Sequence, residues 1–200
     1  MKLATADLFK GNRLYIVLWA LLLGAVGLVL WKPWRANPPA EELSPYLVLR
    51  RNALATKPAD LGLGSLGSGD VYGVVMDWDY GKGLITLVAL KNGDSSLFMD
   101  NGAAFLGGLG DPAVKQAAQR LVEQSQYLWL KGERIQGSPE PLRGQVRFFF
   151  LTLGGVWSVQ DKVENAQRIS STWNKSFGLA NEVITQWRLS QVGKMKKAAP

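Results

Sequence analysis

VYGVVMDWDYGKGLITLVALKNGDSSLFM, residues 71–99, decides the fold. Its first part alternates: Tyr72, Val74, Met76 and Trp78 fall on one side, and Val75, Asp77 and Asp79 on the other. Period-two alternation predicts a half-buried strand over 71–80. Gly81, Lys82 and Gly83 turn the chain. LITLVALK at 84–91 is almost continuously apolar and reads as a central strand. Asn92-Gly93 is a strong tight-turn signal, and SSLFMD at 95–100 reads as a third strand. The three make an antiparallel meander.

Downstream, DNGAAFLGGLG at 100–110 reads as a loop. Asp111 and Pro112 then supply a helix cap and a first helical residue. Val114, Ala117, Leu121 and Val122 form the apolar stripe of that helix, which is expected to pack on the sheet. KGERIQGSPEPLR at 131–143 is a surface loop by content. QVRFFFLTL at 145–153 reads as a strand, with three successive Phe implying burial on both faces, and Gly154-Gly155 folds it back into VWSVQ at 156–160. A last helix is expected over 176–191, with Ala180, Val183, Ile184 and Trp187 buried and Gly193 as its end. Upstream, Ser44 and Pro45 open a helix over 45–55. The order is α-βββ-α-ββ-α, which predicts an α+β fold with one antiparallel sheet and packed helices.

Before that domain, residues 14–31 read LYIVLWALLLGAVGLVLW, 18 residues without a charge. About 27 Å of helix would match a hydrocarbon core. Arg13 and Lys32 bracket the run, Tyr15, Trp31 and Trp34 suit the interfaces, and Pro33 would end it. The run predicts an N-terminal transmembrane helix in contact with membrane lipids. A buried core helix would show a polar face, and a cleaved signal peptide would have a shorter apolar region. Gly24 and Gly27 lack the GxxxG spacing for helix pairing. The expected organisation is a flank at 1–13, the span at 14–31, a Pro-containing linker at 32–43, the α+β domain at 44–193 and a basic tail at 194–200. Lys2, Lys10 and Arg13 precede the span, favouring an inside N-terminus and an exported domain over a cytoplasmic one. The expected location is a bacterial inner membrane, crossed once.

The net charge is +7. Lys2, Lys10, Lys32, Arg13 and Arg35 against Asp7 account for one part, and Lys194, Lys196 and Lys197 for the rest, so residues 36–193 are neutral. Nucleic-acid binders concentrate positive charge on the folded domain, and this distribution argues against nucleic acid as a partner. The chain has no Cys and no His. Disulfides, thiolate or imidazole metal sites and His-based triads are therefore excluded.

Gly107, Gly108 and Gly110 precede a helix N-terminus, where backbone N–H groups can hold an anion. Lys115, one turn into that helix, is the cation such a ligand loop would use. The pattern matches neither GxGxxG nor GxxxxGK[ST], and Asp111 places negative charge at the same point. A tight strand-to-helix crossing is the competing reading. Asp77, Asp79, Asp94 and Asp100 lie near the meander's ends, but their spacing matches no calcium loop. Lys91, Lys115, Arg120 and Arg147 could form a basic patch, or serve as solubilising charge. Ser95, Ser96 and Thr152 have no partner base for nucleophilic catalysis. Trp129 and Trp173 sit in polar surroundings and are candidate contacts for a protein partner.

No catalytic, cofactor-binding or metal-ligating set is assigned, and no cofactor is expected. These readings favour a membrane-anchored protein-interaction or assembly module without catalytic activity, with a protein partner or homo-oligomer. The alternatives are a membrane-bound sensor or small-ligand-binding domain, and an enzyme using carboxylates or lysine.

Overall fold

The computed structural model describes residues 43–169, 171 and 173–198. Helix α1 spans Pro45–Leu54 and begins where the Ser44 side chain accepts from Leu47 N–H at 3.3 Å. The meander follows as β1 (Val71–Asp79), β2 (Leu84–Leu90) and β3 (Ser95–Met99). A two-residue strand β4 (Ala104–Phe105) and a 3₁₀ turn (Gly108–Gly110) lead into α2 (Pro112–Ser125). After β5 (Glu133–Arg134), the hairpin β6 (Gln145–Thr152) and β7 (Gly155–Lys162) completes the sheet. The short α3 (Val163–Ala166) and the long α4 (Asn174–Ala198) close the described chain.

All seven strands form one sheet in the order β4-β3-β2-β1-β6-β7-β5, with every neighbouring pair antiparallel. Strand β1 lies at the centre. Val74, Met76, Leu87, Phe148 and Phe150 face α2 and α4, where they meet Leu121, Ala180, Val183 and Trp187. Ala117, Ala118 and Ala180 are fully buried, and such small side chains let helices approach closely. The opposite face presents Val75, Val88, Leu90, Phe98, Phe149 and Leu151 to α1 and to the chain that follows it. The three Phe of β6 thus alternate between two cores, as a strand covered on both faces requires.

One residue departs from the expected alternation. Tyr72 belongs with Val75 under α1, not with Val74 and Met76. The β1–β6 register shifts between Val71 and Gly73, and this bulge turns the Tyr72 ring to the other face. Its hydroxyl donates to the Thr56 carbonyl at 3.0 Å.

Two short strands, β4 and β5, lie in segments whose composition reads as loop. Helix α4 also runs through Gly193, where an end was expected. Lys194, Met195, Lys196 and Lys197 are good helix formers, so one exposed glycine does not stop it.

The expected fold class needs a larger correction. An α+β fold with one antiparallel sheet and packed helices is present, but among the described residues no helix is long and apolar enough to cross a membrane. The longest, α4, carries Lys175, Glu182, Arg188 and Lys194, so charge recurs along it. The span expected at 14–31 lies outside the described residues. The lipid contact, single-span location and membrane-anchored function inferred from that run are corrected with it.

Candidate functional site

The meander sets a polar row into the sheet's second face. Asp77 of β1 stands opposite Thr86 of β2 and Arg147 of β6. Helix α1 delivers two more side chains one turn apart, Tyr46 and Arg50. Arg50 donates from Nε to Asp77 Oδ2 at 2.7 Å, and its Nη2 lies 2.6 Å from the same oxygen. Thr86 donates to Asp77 Oδ1 at 2.6 Å, so its hydroxyl oxygen accepts from Tyr46 at 2.9 Å. The rest of the Arg50 guanidinium donates to the carbonyls of Ser138 and Pro139 at 2.8 and 3.0 Å. Its carbon sits 5.5 Å from the centre of the Phe149 ring.

This row is sealed. Asp77 and Thr86 are fully buried and Arg50 nearly so. Burial pushes the Asp77 carboxyl above its ordinary range, against the pull of Arg50. Burial likewise raises the Tyr46 hydroxyl to about 12 and lowers Arg147, which Asp77 partly offsets. Arg147 reaches Ser158 Oγ at 3.2 Å and also bonds Gln160, while its Nε is buried without a partner. A substrate has no path to Asp77. The row is a clamp that joins α1, the sheet and the 138–139 loop.

The structure disperses the other carboxylates. Asp79 accepts from Gly81 N–H at 2.7 Å, Asp94 from Ser95 N–H at 2.8 Å and Asp100 from Leu84 N–H at 3.0 Å. Asp79 and Asp94 bond chain neighbours, and Asp100 ties the end of β3 to the start of β2. Among the described residues no group of three or more Asp or Glu could hold a metal ion.

The glycine loop is a compact crossing. Gly107 has φ +78°, a left-handed conformation that favours glycine. A Cβ on Gly108 would lie 2.9 Å from Val114 Cγ1 and 3.0 Å from Ser95 Cβ, so the loop packs against β3 and α2 there. Gly110 has open space around it. Asp111 Oδ1 accepts from Ala113 and Val114 N–H at 3.0 and 3.3 Å, putting a carboxylate at the helix start. Lys115 lays its stem against Gly93 in the β2–β3 turn.

Trp129 and Trp173 are both half-buried and pack against the main core. Trp129 meets Trp157 edge to face at 4.9 Å and lies over Gly69. Apolar side chains that do point outward include Tyr127 and Leu130 beyond α2, and Leu106 and Leu109 after β4. Between α2 and α4 lies an open hollow of about 510 Å³ whose rim includes Arg120, Glu123, Tyr127 and Lys175. Arg120 and Glu182 form an exposed ion pair between the same helices.

Among the described residues β4 is an unpaired edge of the sheet, and it joins backbone and apolar surface. Leu97 pairs with Phe105 and Phe98 with Ala104, and Met99 N–H donates to Ala103 carbonyl at 2.8 Å. Antiparallel pairs alternate between bonded and non-bonded positions. Ala103 and Phe105 therefore turn their backbone groups toward β3, whereas Ala104 turns its own outward, and the same alternation carried one residue past the ladder turns those of Leu106 outward too. The Phe105 ring stacks on Trp187 at 6.1 Å on the α4 side. Leu106 projects to the α1 side, 57% exposed. There it borders a groove of about 210 Å³ lined by Leu49, Ala53, Val88, Leu90 and Phe98, with Asn52, Thr56, Asp94 and Ser96 also in its wall.

Residues 101–110 carry no charge, whereas the other edge strand is Glu133-Arg134, with both side chains exposed. Charged, short edges resist pairing with another chain. Glycines flank β4, so its composition reads as loop. The AAFL run between Gly102 and Gly107 was the available signal.

Comparison with known proteins returned no match: no protein family, no curated protein and no solved structure matched the chain.

Proposed function

We propose that the domain is a protein-recognition scaffold that accepts an extended segment on its β4 edge. The observation that carries this reading is the pairing of free backbone with an adjacent apolar groove. Ala104 and Leu106 offer outward donors and acceptors, and the groove beside Leu106 can take one large apolar side chain. Strand addition uses those two elements, main-chain bonds for affinity and a side-chain pocket for selectivity. The Arg50–Asp77 clamp supports the same surface, because it fixes α1, whose Leu49 and Ala53 form one wall of the groove.

The test is hydrogen exchange on the full chain with an uncharged peptide of alternating Thr and Val carrying a central Leu. Exchange at the Ala104 and Leu106 amides is expected to slow as peptide is added, and an Ala104→Pro variant is expected to abolish the effect. With the chain dilute enough to be monomeric, no slowing at peptide concentrations up to about 1 mM, where even weak binding registers, overturns the reading.

A further inference from the structure

The β4 edge is suited to its own copy. Resting on the strand-accepting reading above, we infer that two chains pair antiparallel through β4 about a two-fold axis at Phe105. The register follows from the backbone. Phe105 spends its own N–H and C=O on β3, so outward it can occupy only a non-hydrogen-bonded position. Placing it on the axis sets Ala104 opposite Leu106 of the second copy. Those residues have outward groups, and each pair exchanges two hydrogen bonds.

Side chains agree with that register. On the α1 side, Leu106 of each copy lies over the small, exposed Ala104 of the other. On the α4 side, the two Phe105 rings come side by side, each backed by Trp187. Identical antiparallel strands give a closed, isologous contact and leave no β4 edge open.

Charge selects the same occupant. The chain carries +7, and two copies repel wherever that charge gathers. Residues 101–110 hold none of it, and the segment they would meet in a second copy is equally neutral. An occupant rich in Asp or Glu gains nothing along this run, and Asp94 in the groove wall would repel it. The β5 edge instead carries two exposed charged side chains, Glu133 and Arg134.

Sedimentation velocity on the full chain tests the proposal. The apparent mass is expected to double with rising concentration and to return to the monomer value in Ala104→Pro. That change removes an outward N–H and leaves the β3 bonds intact. Leu106→Lys, which brings no backbone restriction, is expected to do the same. A wild-type monomer at every concentration up to about 0.1 mM, or a dimer unchanged by both variants, overturns the inference. If the chain stays monomeric while the Thr/Val peptide still slows exchange at Ala104 and Leu106, self-pairing is refuted and strand acceptance survives. If neither occurs, both fail.

Discussion

Arg50 and Asp77 lie 27 residues apart and meet at 2.7 Å beneath α1, with both side chains out of solvent. The carboxylate takes bonds from Arg50 and Thr86 on its two oxygens, and the guanidinium spends its remaining donors on two loop carbonyls. Such a site is satisfied only as a whole. Arg50→Leu strands a buried carboxylate and frees the 138–139 loop. Breaking one side of a buried pair costs about 3–5 kcal/mol. Urea denaturation is expected to show that loss, and limited proteolysis is expected to show faster cutting within 136–143. Arg50→Lys is expected to rescue little, because an ammonium cannot reproduce the planar fork over Phe149. A Lys variant matching wild type in both assays would refute the clamp.

Little in the local sequence announces this clamp. Periodicity placed β1, β2, β3, β6 and β7, because strand alternation and turn residues are local signals. It also placed Asp77 on a solvent-facing side, since nothing local announces that α1 returns to cover that face. Arg50 lies in a short helix whose own sequence gives no sign of a partner across the sheet. The Tyr72 bulge likewise depends on the partner strand's register. Trp129 and Trp173 looked like surface contacts from their polar neighbours in sequence, yet their neighbours in space include Trp157 and the main core. Leu106, the outward apolar residue of the candidate site, lay in a segment whose glycines read as loop.

Tyr46 gives the clamp an alkaline signature. Burial raises its hydroxyl from 10.0 to about 12. The unfolded chain ionises this tyrosine first, so folding is penalised progressively as pH rises from about 10 toward 12. The stability that the protonated Tyr46 contributes is complete below the unfolded value and falls across that window. Urea midpoints measured through the window are expected to fall less steeply in Tyr46→Phe than in wild type. Parallel slopes would show that Tyr46 is not the group responsible.

Asp111 caps α2 through two backbone N–H groups. Replacing an N-cap carboxylate with Ala typically costs about 1 kcal/mol. Asp111→Ala is expected to lose about that much stability, and Asp111→Asn to keep most of it, because the amide oxygen can accept the same bonds. An Asn variant as unstable as the Ala variant would show that charge, not capping, is what this residue supplies.

Ser95 connects the β4 side of the sheet to α4. Its hydroxyl donates to the Val88 carbonyl at 2.8 Å and accepts from Trp187 Nε1 at 3.2 Å. Trp187 is buried and stacks on Phe105, so the indole N–H has Ser95 as its acceptor. Ser95→Ala leaves that donor stranded, at a cost of about 1–3 kcal/mol. Trp187→Phe removes the donor but leaves a gap in the core, so it is destabilising by itself. The two losses are not independent. Once the indole is gone, the missing hydroxyl strands no donor, and the double variant is expected to be less unstable than the summed single variants. Because Trp187 backs Phe105, both single variants are also expected to speed hydrogen exchange at Leu97 and Phe105. Strict additivity in denaturation, with unchanged exchange at β4, would mean that Ser95 and Trp187 act separately and that α4 does not brace this edge.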